Sequence, residues 1–225
     1  MGVHIYCIVA RGQQPDGELA GVGGATVLAA HAPRLAVWYS EHDAPPAADE
    51  AAIRAHHAIV QTAMTPERTP VPVRFGQWFA GVHAALEQVA AEETKWLEHL
   101  TCFAGCAEFG VRIAANMEGM TAQDVQATRT SGTAYMTALA RRHADAQGWR
   151  VQGEAIAMRV HDALTGIIIA DRVEIRVAAG LVRLAHLVAR QREGEYHGVI
   201  DAIRRSRSDL RFSLTGPWPP YSFVA

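Results

Sequence analysis

The chain has little cysteine: Cys7, Cys102 and Cys106 are the three in 225 residues. An odd set this small cannot staple a disulfide scaffold, so a reducing compartment, the cytoplasm, is expected. It also lacks an excess of charge of one sign. Twenty-one Lys+Arg against 23 Asp+Glu leave a net charge of −2, which provides no field for gathering phosphates or anionic lipid. Neither nucleic acid nor a membrane surface is therefore expected as a partner. Long apolar runs are missing too. The stretch from Gly166 to Ala170 is short and that from Leu181 to Ala189 carries Arg183 and His186, well below the roughly 18–20 clean residues of a spanning helix. No basic segment precedes the apolar run at Val3, and Tyr6 stands where a myristoylation signal needs Ser or Thr, so neither an export signal nor an acyl anchor is expected.

The motifs of chemistry are equally scarce. There is no HExxH, no Gly-x-Ser-x-Gly elbow and no P-loop lysine. His56 and His57 are adjacent, so on a helix they point about 100° apart rather than at one ion. His56 reads as a packed histidine with one backbone or side-chain partner. Cys102-x3-Cys106 has no second ligand pair, and no metal or cofactor is expected. Gly21, Gly23 and Gly24 precede a predicted strand instead of opening a helix, which makes them a surface loop, not a phosphate cradle. Ser40, His42 and Asp43 lie too close in one segment to form a catalytic relay by default. Asp162 and Asp171 read as turn and strand-end residues. No catalytic residue is assigned.

What is present is a folding pattern. Hydrophobic residues make up 49% of the chain and charged residues 20%, the composition of a core-bearing protein. Val3 to Ala10 predicts a strand, Thr26 to Ala30 and Arg34 to Ser40 a hairpin turning at Pro33, and Asp49 onward a helix with a stripe of Ile53, His56, Val60 and Met64. Pro70 to Gly76 predicts a buried or edge strand, and Val82 to Leu100 one long helix. Glu108 to Ala114 reads as a strand, Ser131 to Gly148 as a helix, and Glu154 to Val160, Ile167 to Val177 and Leu181 to Val188 as three strands. A helix from Arg192 to Arg205 and a strand from Leu210 to Leu214 follow, with the tail leaving the sheet at Gly216. This order predicts an α+β protein of two small domains, residues 1–104 and 105–225, helices packed on one face of each sheet, with an aromatic-proline tail on the second.

Three segments have the look of recognition elements rather than catalytic ones. They are Val73-Arg74-Phe75-Gly76 after two prolines, the helix start containing Tyr135, and the tail with Trp218, Tyr221 and Phe223. Large rings held extended by prolines suit docking on a partner; equally, such a tail can fold back and cap its own core. Arg74 has three readings: a domain-interface hydrogen bonder, a partner contact, or a member of a buried internal network.

These segments resemble the gas vesicle protein GvpL/GvpF family, in order along nearly the whole chain. HIYCIV from His4 is similar to that family's first strand, and Arg34 to Ser40 to its next. His56-His57-Ala58-Ile59-Val60 resembles its His-Glu-Ala-Val-Val helix, and PVPVRFGQWF from Pro70 its Pro-Val-Leu-Pro-x-Arg-Phe-Gly-Thr signature. EFGVRI from Glu108, SGTAYM from Ser131, LAHLV from Leu184 and LTGPWPPYSF from Leu214 complete the series. His57 stands where the family has Glu, Gln77 where it has Thr, and Met136 where it has Leu. The resemblance implies a ferredoxin-like N-terminal domain and a second α+β domain. It also implies a non-enzymatic accessory protein of gas vesicle formation, in the cytoplasm at the vesicle, binding the shell protein and other accessory proteins. Val73 to Gly76, Tyr135, Trp218, Tyr221 and Phe223 are the expected contacts. The rival expectation is a ligand sensor or enzyme with a cleft between two ferredoxin-like domains, and a further one is a structural part of the finished vesicle.

Overall fold

The computed structural model describes residues 1–115 and 132–224, with the side chains of 115, 132–146 and 178 excepted. It divides into two compact units, Met1–Glu108 with Pro217–Ala225, and Phe109–Gly216. The sequence assigns the tail to the second half; its contacts group it with the first unit.

In the first unit, β1 (Gly2–Ala10) is a run of apolar and aromatic residues buried on both faces, so it takes the middle of a sheet. β2 (Leu28–His31) and β3 (Leu35–His42) form the expected hairpin, and β3 lies antiparallel to β1, with Ile8 opposite Val37 and His4 opposite Ser40. A bulge between Ile5 and Cys7 turns Tyr6 inward. α1 (Glu50–Thr62) starts at Asp49, whose carboxylate accepts from the Ala52 N–H, satisfying an otherwise orphaned donor. Its buried stripe is His56, Ile59, Val60 and, just past its end, Ala63, while Ile53 is 47% exposed. The inward face is thus rotated from the Ile53–Met64 stripe, because the small Ala63 lets α1 sit close to Tyr6 and Trp38 in the core.

β4 (Val71–Pro72) and β5 (Trp78–Phe79) are two-residue strands that both pair with β1, opposite Cys7–Ile8 and Val3–His4. The helix expected from Val82 to Leu100 divides into α2 (Val82–Ala91) and α3 (Glu93–Phe103) at Glu92, where φ is −113° and ψ 23°. No Gly or Pro marks this break. Residues with good helix propensity are overridden there by packing.

In the second unit the strand order is β7-β8-β6-β9, formed by β6 (Cys106–Ala115), β7 (Ile168–Arg176), β8 (Leu181–Ala189) and β9 (Leu210–Trp218). β7 and β8 are antiparallel, with Glu174 opposite Arg183. α4 (Gly132–Ala163) is continuous, which corrects the helix end at Gly148 and the strand from Glu154 to Val160. Gly153, Ile156, Ala157, Val160 and Leu164 are buried, a 3.6-residue period. Gly153 permits the close approach: a Cβ there would lie 3.1 Å from Val182 Cγ2 and 3.2 Å from Ile175 Cγ2. α5 (Glu193–Ser206) carries Glu193 and Glu195 in its first turn and Arg204 and Arg205 in its last, matching the helix dipole. β9 runs on through Gly216 to Trp218 instead of ending at Leu214. Glycine at 216 accommodates a φ of +127° within that strand.

Candidate functional site

The segment from Val71 to Phe79 is a strap laid along the outer side of β1. Pro70 just before it and Pro72 within it restrict φ, and Pro72 lacks an N–H, so only two short stretches join the ladder. Between them the Val73 N–H donates to Tyr6 O at 2.9 Å, and the Ile5 N–H donates to Gln77 O at 3.3 Å. Gly76, at φ +98°, supplies the left-handed turn that brings the chain back to β1. Within this turn Phe75 points inward, its ring 5.1 Å from His4 and 5.7 Å from His56. Arg74 points outward. It is exposed, and among the described residues its guanidinium has no hydrogen-bond or ion-pair partner. The buried-network reading of Arg74 is therefore overturned: burial of an unpaired guanidinium is too costly, and the strap turns it to solvent.

Behind the strap lies a histidine pair that short-range pattern could not reveal, since its members are 52 residues apart. His56 Nε2 donates to Val73 O at 2.8 Å. Its Nδ1 is left as an acceptor, and His4 Nε2 donates to it, also at 2.8 Å. His4 Nδ1 is buried without a partner. Burial pushes both imidazoles down to about 4, with the mutual repulsion of His4 and His56 adding to the effect at His4. Both rings are accordingly neutral near pH 7, and the packed-histidine reading of His56 agrees with this geometry.

Next to the pair, the Val22 N–H donates to Tyr6 Oη at 2.8 Å, Tyr6 Oη lies 2.7 Å from Ser40 Oγ, and Ser40 Oγ lies 2.8 Å from His42 Nε2. Ser40 and His42 do pair, yet Ser40 is fully buried, so no substrate reaches its hydroxyl. Among the described residues no group of three His, Cys, Asp or Glu is placed to hold a metal ion.

On the other side of the strap a groove of about 560 Å³ opens, with Ile8, Val73, Phe79, Val89 and Trp96 in its wall. Arg74 stands at this groove with Glu92 and Lys95. Lys95 pairs with Glu92 at 3.5 Å and sits 4.8 Å from the centre of the Trp96 ring. Trp96 Nε1 is buried without an acceptor. The arrangement is an apolar trough with one free cation and one unused donor, suited to an apolar segment that carries an acceptor or a carboxylate.

The tail reaches the same trough through Val224. Before it, Tyr221 packs on the core around Tyr6 and Trp38, Phe223 is 7% exposed, and Ser222 donates from N and Oγ to the Glu108 carboxylate at 2.8 and 2.7 Å. Trp218 meets His57 edge-on and Tyr221 lies tilted against it, with ring centres 5.2 and 5.8 Å from it. Tyr221 and Phe223 thus cap the core, and Trp218 is half-buried on His57. The structure brings Val73, Arg74, Phe75 and Gly76 to one place. Tyr135 falls in the first turns of α4, and its side chain lies outside the described residues. In the sequence Trp96 reads as part of a helical core stripe with Val82, Leu86, Val89 and Leu100, and nothing singles out Lys95 beside it.

A family model described as gas vesicle synthesis protein GvpL/GvpF matches residues 2–225. The chain is 26% identical over 226 residues to gas vesicle protein F2 of Halobacterium salinarum, covering 99% of this chain and 91% of that protein. It is 29% identical over 190 residues to gas vesicle protein L of a Streptomyces species, covering 77% and 68%. Among solved structures it is similar to the crystal structure of gas vesicle protein GvpF from an Anabaena species, with a TM-score of 0.78 at 18% identity over 100% of this chain and 98% of that one. GvpF from Microcystis aeruginosa is also similar, with a TM-score of 0.75 at 17% identity over 99% and 98%. These structures share its two-part α+β fold.

Proposed function

The chain belongs to the gas vesicle synthesis protein GvpL/GvpF family, and from that premise we propose that it is a non-enzymatic accessory protein of gas vesicle formation that binds the vesicle shell protein and other accessory proteins. The observation that carries this reading is the family match along residues 2–225. A shell protein rich in apolar strands aggregates edge to edge before assembly unless a soluble partner covers it. The trough beside Arg74 fits that task. Its apolar wall takes side chains that would otherwise meet water, and the unpaired guanidinium fixes their orientation through a carboxylate or carbonyl. Arg74 being exposed and unpaired among the described residues supports its role as a contact, whereas the packing of the partly buried Tyr221 and the burial of Phe223 support a bracing role for the tail. The full burial of the Ser40 hydroxyl, with only its partner His42 partly exposed, supports a role without turnover. No described helix is long and apolar enough to cross a membrane, in keeping with action beside the forming vesicle in the cytoplasm.

The test is co-expression with the major shell subunit and pull-down of wild type against Arg74→Glu, each with its melting temperature. Arg74→Glu reverses one exposed charge and leaves melting unchanged, while capture of the shell subunit falls about tenfold, equivalent to about 1.4 kcal/mol. Equal capture by both removes the trough as the contact. No capture by wild type removes the shell protein as the partner.

A further inference from the structure

Among the described residues, three of the four sheet edges carry a device against strand addition. β2 is four residues long, the β4–β5 edge is interrupted and holds Pro72, and β9 contains Gly216 and Pro217. Short, broken or proline-bearing edges resist pairing with another chain. The fourth edge, β7, is different. It runs from Ile168 to Arg176 without Gly or Pro, its one register shift lies at the N-terminal end between Ile168 and Ala170 and leaves Ala170–Arg176 regular, it ends the order β7-β8-β6-β9, and it has no strand on its outer side among the described residues. Two of its apolar side chains, Ile169 and Val173, are 51% and 48% exposed.

Its charges select a partner. Asp171 and Glu174 balance Arg172 and Arg176, so the strand is electrically neutral and does not repel a copy of itself. Continuing a sheet across a two-fold axis places residues of equal parity opposite each other, symmetrically about one central residue. A centre at Arg172 or Glu174 sets a like pair face to face, and a centre at Asp171 does the same with two carboxylates. A centre at Val173 sets Val173 against Val173 and Arg172 against Glu174 twice. A centre at Ile175 also matches Glu174 with Arg176, but only residues 174–176 then lie within both strands, because the chain turns at Val177. The Val173 centre keeps residues 170–176 paired. It also leaves intact the bonds that Glu174 receives within its own chain from Arg176 at 2.6 Å and Arg183 at 3.3 Å.

We infer that β7 is a self-association edge, pairing antiparallel with β7 of a second copy of this chain about a two-fold axis at Val173. Main-chain bonds supply the adhesion, and the Arg172–Glu174 pairs set the register, as opposite charges across a ladder do. The second copy buries the exposed Val173 of the first. This property is independent of the trough beside Arg74 and of what binds there.

The test uses the purified full chain in a Cys102→Ser background, which removes the exposed native thiol. Sedimentation equilibrium gives a concentration-dependent dimer for the parent. Val173→Asp, at an exposed site that tolerates the change, sets two carboxylates face to face and leaves monomer with unchanged circular dichroism. Under mild oxidation Val173→Cys yields a covalent dimer. Ile169→Cys, equally exposed, does not, because its symmetry mate is eight residues away along the strand, about 26 Å at roughly 3.3 Å per residue. A parent that stays monomeric at millimolar concentration overturns the inference. So does a dimer that survives Val173→Asp, or one that oxidises through position 169 as readily as through 173.

Discussion

The two units treat a sheet edge in opposite ways. In the first, β1 is lined by a strap whose prolines break the ladder, so what faces outward is a bent loop with one free guanidinium beside a trough. In the second, β7 keeps a regular ladder register against β8 from Ala170 to Arg176 and shows alternating charges there. An edge stripped of its ladder recognises by side chains and shape, while an edge that keeps its ladder recognises by backbone, with side chains choosing the register. The difference traces to composition. Pro70, Pro72 and Gly76 cannot form a regular outer strand, whereas Val173, Glu174, Ile175 and Arg176 alternate as a half-solvated one.

The largest effect that sharpens this contrast is acid. The strap is held from behind by His56 donating to Val73 O, and His56 in turn accepts from His4. Protonation of either ring has no acceptor waiting, since His4 Nδ1 has none in the fold. The groups facing the pair are His42, Tyr6, His57 and the Phe75 ring; none is a carboxylate. Folded-state values of about 4 lie below the unfolded value of 6.5, so the unfolded chain binds more protons in this window. The stabilisation is complete above pH 6.5 and is lost as the pH falls towards 4, by on the order of 1 kcal/mol per pH unit. Urea unfolding at a series of pH values from 7 to 4.5 measures it. A flat profile contradicts the neutral pair. His186, also held at about 4 by burial, adds to the same slope from the second unit.

Next in size is Phe75→Ala. This ring fills the space against His4 and His56, and its removal costs about 2 kcal/mol for a half-buried aromatic, read as a lower urea midpoint. The smallest change is Val173→Ala on β7, which costs the isolated fold about 0.5 kcal/mol or less because that side chain faces water. If the two substitutions cost the same, the strap is not packed from behind as described, or β7 is not the open edge.

Elements whose periodicity is local were legible in the sequence. β1 shows as a solid apolar run, the β2–β3 hairpin turns near Pro33, and Asp49 announces α1. The run from Ile167 to Val177 reads as a strand, and β7 covers Ile168–Arg176 of it. The misreadings come from competition between neighbouring signals or from long-range packing. Gly148 reads as a helix stop, yet α4 passes through it, and the alternating Ala155–Ala157 stretch imitates a strand while Ile156, Ala157 and Val160 face a common core. The division at Glu92 has no local breaker. The tail's rings were visible, but that Ser222 binds Glu108, 114 residues away, is a tertiary fact. Of the candidate site, Arg74 and its flanking residues stood out because a Pro-rich strand followed by Arg-Phe-Gly is unusual. The His4–His56 pair and the Trp96 wall did not, since each residue alone reads as ordinary core.

The proposed contact between the Arg74 trough and the shell protein can be probed in the cell. Its most direct test is a photo-reactive residue placed at position 74, and in a second variant at position 172, irradiated during co-expression with the shell subunit. A covalent adduct with the shell subunit is expected from position 74 and, from position 172, an adduct of this chain with its own copy. Shell adducts from 172 and none from 74 would contradict the proposed contact.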